Sequence, residues 1–228
     1  MSKLKIFAAS LLIVSMSSFS MAAGISEGVR IGIGIAETEV NGSGTERLRD
    51  GSGAVTTVKG GSDKATSSAT TSVGHIFIEK TFASGMTLGI DLIPGEADVG
   101  TKSRADDDLE SAGGNKASAE VSNHLTFYGL MPLGSSPLFI KGGVSSMDVA
   151  TKEVLATGSA YGDTSVNGVM VGIGAHLERD NGVFARLEAS MAEYESLSLV
   201  SDGGNTVDAD LDTSSLTLSI GKSFELIN

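Results

Sequence analysis

Six ionisable residues of this chain could share one face of extended segments: Glu79, Asp91, Lys141, His176, Arg186 and Glu188. All lie roughly four to six residues in from short connections, at a rise of about 3.3 Å per residue, so they could form one thin layer. Arg30 lies lower. A buried unpaired charge costs several kcal/mol, so such a layer must be paired. It would be either a static plug that rigidifies a narrow interior or a gate that opens when pairs exchange. His75, His124 and His176 are the only histidines. A hydrolase would join one of them to Ser and Glu, but no Ser/His motif recurs and the three stand on separate segments. His75 and His124 could be close in height, yet no third metal ligand suggests itself. Cysteine is absent, which removes thiolate nucleophiles, disulfides and Cys-based metal sites. Asp208, Asp210 and Asp212 imitate the opening of a calcium loop, but Thr213 stands where the Gly should be and Ser219 where the bidentate Glu should be. That cluster, and Asp106-Asp107-Asp108-Leu109-Glu110, read as solvated anionic surface. Gly32-Ile33-Gly34 and Gly172-Ile173-Gly174 sit within extended segments with no helix after them, so they cannot offer a helix N-terminus to a phosphate. No catalytic residue, metal site or cofactor is expected.

The elements that must position these groups are strands. Period-2 apolarity marks eight segments, near Val29–Glu39, Ser72–Phe82, Met86–Ile93, Val121–Met131, Pro137–Val149, Val166–Leu177, Val183–Leu199 and Ser215–Phe224. In the first, Val29, Ile31, Ile33 and Ile35 oppose Arg30, Gly32 and Gly34. In the sixth, Val169, Val171, Ile173, Ala175 and Leu177 oppose Met170, Gly172, Gly174, His176 and Glu178. One face is aliphatic throughout, and the other mixes Gly, Ser and Thr with charges. A soluble sandwich would bury the apolar face around large aromatics and wet the other. Aromatics are only 5% here, with no Trp, while Gly is 30 of 228 residues, nearly double its usual share. The inverted arrangement fits better, with aliphatics toward lipid and Gly and charges toward a narrow interior.

The connections agree. Ala83-Ser84-Gly85, roughly Pro132 to Ser136, and Glu178-Arg179-Asp180-Asn181-Gly182 are short; those between them are long. Strict alternation of short and long connections is the pattern of an outer-membrane barrel. At the N-terminus, Lys3 and Lys5 precede an apolar run from Ile6 to Val14 and the small-residue site Ser20-Met21-Ala22-Ala23-Gly24, which has the form of a secretory signal peptide. We expect residues 1–23 to be removed and residues 24–228 to form the barrel domain. The net charge of −12 argues against a nucleic-acid partner.

The alternation, the connections and the final segment Ser215-Leu216-Thr217-Leu218-Ser219-Ile220-Gly221-Lys222-Ser223-Phe224 resemble the small eight-stranded outer-membrane barrels, the group of the outer membrane protein A transmembrane domain and the opacity-like proteins. Gly182-Val183-Phe184-Ala185-Arg186-Leu187-Glu188 is similar to the family's turn and strand with inward Arg and Glu. The resemblance implies an all-β, eight-stranded antiparallel up-and-down transmembrane β-barrel with short periplasmic turns and long extracellular loops, in the outer membrane of a Gram-negative bacterium. It implies that Phe224 acts as the terminal aromatic read by the barrel-assembly machinery, although Glu225-Leu226-Ile227-Asn228 follow it. The implied partners are outer-membrane lipid and lipopolysaccharide, the barrel-assembly machinery and an extracellular surface ligand; for the acidic clusters, divalent cations bridging to lipopolysaccharide phosphates are the less favoured alternative to a solvated surface. The expected role is structural or surface-interacting. A narrow ion-conducting pore is the alternative, and a lipid-modifying enzyme is less favoured.

Overall fold

The computed structural model describes residues 27–50, 52–60, 64–104, 115–154 and 160–225. Residues 1–23, expected from the sequence to be a signal peptide, and the Asp106–Glu110 cluster lie outside these residues. The elements are β1 (Gly28–Arg49), β2 (Val55–Lys59), β3 (Ala65–Thr81), β4 (Thr87–Arg104), β5 (Asn115–Pro132), β6 (Leu138–Val154), β7 (Thr164–Glu178), β8 (Val183–Tyr194), β9 (Leu197–Val200) and β10 (Thr206–Glu225). Eight of them form an antiparallel ring in the order β1-β3-β4-β5-β6-β7-β8-β10, closed by β10 on β1. The closing ladder runs from Gly28↔Glu225 to Arg47↔Thr206. A closed ring leaves no free edge and excludes the sandwich.

Three tight turns lie at one end of the ring, at 82–86, 133–137 and 179–182. Gly85, Gly134 and Gly182 take φ of 81°, 64° and 78° there, a backbone region that other L-residues rarely enter. The first residue of β1, Gly28, and the last of β10, Glu225, are at this same end. "Above" hereafter means away from these turns.

Much of what the sequence presents as long connections is strand. β1 continues past Glu39 to Arg49, and β10 begins at Thr206 rather than Ser215. The segment Val183–Leu199 is two strands, β8 and β9, interrupted after Tyr194. β9 pairs with β10, and β2 pairs with β1 above Gly44, so a four-stranded sheet β2-β1-β10-β9 rises beyond the ring. Asp208, Asp210 and Asp212 are on β10, not in a loop. Asp208 pairs with Arg47 and accepts from Ser198; Asp210 pairs with Lys64 and accepts from Ser196. Those hydrogen bonds, with Arg47 and Lys64 first, hold both carboxyls below the usual carboxylate range.

The alternation read from the sequence sets the facing of the barrel wall. Ile31, Ile33, Ile35, Val169, Val171, Ile173, Leu218 and Ile220 all expose half or more of their surface outward. A belt of this extent is a lipid contact, since soluble monomers rarely show one. It ends upward where Ile35 gives way to Glu37 on β1 and Met191 to Glu193 on β8.

Inside, the buried Phe and Tyr rings and His75 lie against a glycine on the neighbouring strand, while His176 lies opposite Arg186. Phe77 is paired with Gly32, Phe184 with Gly221, Phe139 with Gly174, His75 with Gly34, and Tyr128 with Gly89 and Gly143. A Cβ on Gly32 would lie 2.2 Å from Phe77 Cζ, and one on Gly221 2.3 Å from Phe184 Cζ. The excess of glycine therefore makes room for aromatics in a ring too narrow for both.

One ladder departs from the rest. β3 and β4 pair only from Thr81↔Thr87 to Ile76↔Leu92, although β3 continues up to Ala65 and β4 to Arg104. The sequence suggests that this strand stops at Ile93; instead it bends and continues. Pro94 has no N–H to offer a ladder, and Gly95 takes φ of 94°. The β4–β5 register shifts between Ile93 and Glu96, opposite Asn123, whose φ is 51°. These bulges turn β4 toward β5 and leave a seam between β3 and β4 above Ile76↔Leu92.

Candidate functional site

The interior has two storeys. In the lower one, Arg186 donates from Nη1 and Nη2 to Glu79 Oε1 and Oε2 at 2.6 and 2.7 Å. Tyr128 donates its hydroxyl to Glu79 Oε1 at 2.6 Å. The Arg186 guanidinium also lies 5.1, 5.5 and 5.6 Å from the ring centres of Phe77, Phe139 and Phe184. Its planar cation is thus held by a bidentate carboxylate at the edge and by rings on its faces. Lys141 Nζ donates to Glu188 Oε1 at 2.7 Å and sits 4.2 Å from the Tyr128 ring centre. His75 Nδ1 is 2.6 Å from Asp91 Oδ2, and its Nε2 is 3.2 Å from Ser219 Oγ. Nearest the turns, Arg30 donates to Glu178 at 3.2 Å and to Ser223 at 3.1 Å, and His176 Nε2 lies 3.0 Å from Glu178.

Glu79, Asp91, Lys141, His176, Arg186 and Glu188 are all buried inside the ring. They are partitioned into separate pairs. Arg186 bonds to Glu79, while its near neighbour in sequence, Glu188, takes Lys141. His176 belongs with Glu178 and Arg30 in the lowest tier. Glu178 and Tyr128 are the members sequence reading did not single out, although both fall on inward positions of their strands. Phe224 points outward, half exposed, in register with Val29.

The upper storey has different walls. Met147, Val149, Val166, Met170, Ala192 and Tyr194 form an apolar cluster on β6, β7 and β8. Beside it is a chamber of about 110 Å³ that reaches the seam at Thr71 and Val73 of β3 and at Ile93, Pro94, Gly95 and Glu96 of β4. A smaller space of about 70 Å³ continues downward and ends on Asp91, Lys141, Arg186, Glu188 and Phe77. At the junction of the two spaces His124 Nε2 lies 2.9 Å from the Tyr194 hydroxyl. His75 is held by Asp91 in the lower storey, so His75 and His124 have different partners. Among the described residues no group of three His or acidic side chains could hold a metal ion. Pro94-Gly95 is the feature that sequence reading passed over, and a Pro at the top of an alternating run was its signal.

No protein-family model matches this chain, and no curated protein sequence matches it. Its fold matches solved structures. Outer membrane protein OprG from Pseudomonas aeruginosa aligns over 90% of this chain and 99% of its own, with 13% identity and a TM-score of 0.52. The attachment invasion locus protein Ail of Yersinia pestis, in complex with the heparin analogue sucrose octasulfate, aligns over 87% and 99%, with 12% identity and a TM-score of 0.45. The outer membrane protease OmpT from Escherichia coli aligns over 92% and 100%, with 8% identity and a TM-score of 0.44. With the ring, the lipid belt and the likeness to OprG, the chain has the fold of the small eight-stranded outer-membrane barrels.

Proposed function

We propose that this chain is an outer-membrane surface barrel that conducts no ions along its axis and instead passes small apolar molecules sideways, from its upper chamber to the outer rim of the bilayer. One observation carries this reading: the β3–β4 ladder stops at Ile76↔Leu92, just where an apolar chamber lies behind it and a floor of paired charges lies beneath. A solute in the chamber meets buried salt bridges below and an unpaired strand edge at its side. Opening the floor would separate Arg186 from Glu79 in a region with little water, which is costly. The paired layer is thus a plug in this reading, and the role is non-enzymatic. In this scheme residues 1–23 export the chain, Phe224 presents the assembly signal, and lipopolysaccharide surrounds the upper rim.

The absence of native cysteine allows a clean test. Exposed Ser72 and Glu96 stand on either side of the seam. A Ser72→Cys, Glu96→Cys protein, bridged by a cleavable thiol cross-linker in proteoliposomes, should lose transfer of an apolar fluorophore from outside into the bilayer and regain it on cleavage. Unchanged transfer in the bridged protein would overturn the lateral route, and a steady single-channel current would overturn the closed axis.

A second reading, contact with outside surfaces, is favoured by the sheet β2-β1-β10-β9. It holds its shape through strand pairing and the Arg47–Asp208 and Lys64–Asp210 bridges, and it projects beyond the ring. Removing 52–60 and 197–205 should abolish surface adhesion while leaving lateral transfer intact.

A further inference from the structure

The chamber's floor is chemically distinct from its walls. Tyr194 is only 6% exposed and joins His124 through its hydroxyl, while His124 Nδ1 is buried without a hydrogen-bond partner. This ring nitrogen leaves a hydrogen-bonding position open toward the chamber, one that a water or a ligand hydroxyl can fill, since buried polar atoms are almost always satisfied. Ser122, Ser145, Ser190 and Ser215 line the same space. These groups are neutral donor–acceptors, and the charges beneath them are already matched with one another. The wall above is Val40, Val73, Val121, Met147 and Met170. At the mouth of the seam stands the carboxylate of Glu96, which disfavours an anionic solute.

We infer that the chamber is a binding site for a neutral single-headed amphiphile, an alcohol or phenol. Its hydroxyl sits at the His124–Tyr194 pair, and its alkyl chain runs past Val73 and Ile93 through the seam. This rests on the lateral-route reading and names its substrate class. A hydroxyl both donates and accepts, so it serves His124 Nδ1 in either tautomer. The chamber's 110 Å³ is smaller than the roughly 150 Å³ apolar cavity that holds one benzene, so the head and a few methylenes fit inside and a longer chain must emerge. The seam begins just above Ile76, which is in register with Ile33, and so opens at the upper edge of the outward belt that ends where Ile35 gives way to Glu37, near the level at which such molecules rest in a bilayer.

The test uses three diazirine-bearing eight-carbon probes, an alcohol, a carboxylic acid and an alkane, photolysed with the full-length protein in lipid vesicles and mapped by mass spectrometry. The alcohol should label chamber residues about tenfold more than the acid or the alkane, the size expected for one well-placed hydrogen bond. Tyr194→Phe should remove that preference while leaving alkane labelling unchanged, and His124→Gln should weaken it. Equal labelling by alcohol and alkane, with Tyr194→Phe silent, would overturn the head-group site and leave the lateral route standing. Labelling confined to the outer belt for all three probes would overturn both.

Discussion

Below the Ile76↔Leu92 pair, the inward Phe and Tyr rings each have a glycine opposite them and the inward charged groups each have a hydrogen-bonded partner; above that pair, Val, Met, Ser and Thr, with the His124–Tyr194 pair, surround unfilled volume. The same strands build both storeys, with the same two-residue alternation. The difference lies in partnership across strands. The lower storey is held by complementary shape and charge between neighbours. The upper one lacks such partners on its β3–β4 side, where Pro94 and Gly95 interrupt the ladder. A barrel can thus be closed and rigid at one end and open-walled at the other without any change in fold.

The largest effect that would break this contrast is loss of a lower-storey charge. Arg186→Ala leaves Glu79 buried with only Tyr128 to satisfy it, and should destabilise the barrel by about 3–5 kcal/mol in urea unfolding from lipid. Removing Arg186 and Glu79 together should cost clearly less than the sum. Removing Arg186 with Glu188 should be closer to additive, because Glu188 holds Lys141. Strict additivity in both cycles would mean that the lower storey is solvated like the upper.

A smaller effect tests packing. Gly32→Ala forces a methyl into Phe77 and the Ile220 carbonyl and should destabilise by about 1–3 kcal/mol. Gly42→Ala, in the upper part of the same strand, meets nothing within 4 Å and should be near neutral by the same measurement. Equal effects would erase the distinction between the two storeys.

The smallest effect concerns the projecting sheet. The folded-state carboxyls of Asp208 and Asp210 titrate below their unfolded values, so their contribution is fully present above the ordinary carboxylate value of about 3.9 and fades as pH falls through the folded values. Acidification should therefore loosen β9 and β2, seen as broadened amide signals by NMR, before the ring is affected. Asp208→Asn should show part of this at neutral pH.

The facing of every ring strand could be read from the sequence because the alternation has a fixed period: Ile31, Ile33 and Ile35 could only share a side. Pairing could not be read in the same way. Whether Arg186 reaches Glu188 or Glu79 depends on the stagger between strands around the ring, which alternation does not encode. Loss of pattern was also a poor guide to loss of strand. Beyond the lipid both faces of β1 and β10 are polar, so Thr38–Arg49 and Thr206–Ser214 carry little period-2 signal although the backbone ladder continues. At Ile93 the pattern stops for a different reason, the Pro94-Gly95 bulge that creates the seam.

The short β3–β4 ladder also has a mechanical meaning. A tube slit along part of its length keeps most of its bending stiffness and loses most of its torsional stiffness. Below Ile76↔Leu92 this barrel is an unbroken hoop; above it the wall is an open profile, still laddered from β3 round through β1, β10, β8, β7, β6 and β5 to β4 and unpaired only between β3 and β4. Twisting of the upper rim against the lower is therefore its softest deformation, and the lips of the slit slide past one another when it twists. A force on the projecting sheet would apply torque at the end of that open profile and would be converted into relative motion at the slit.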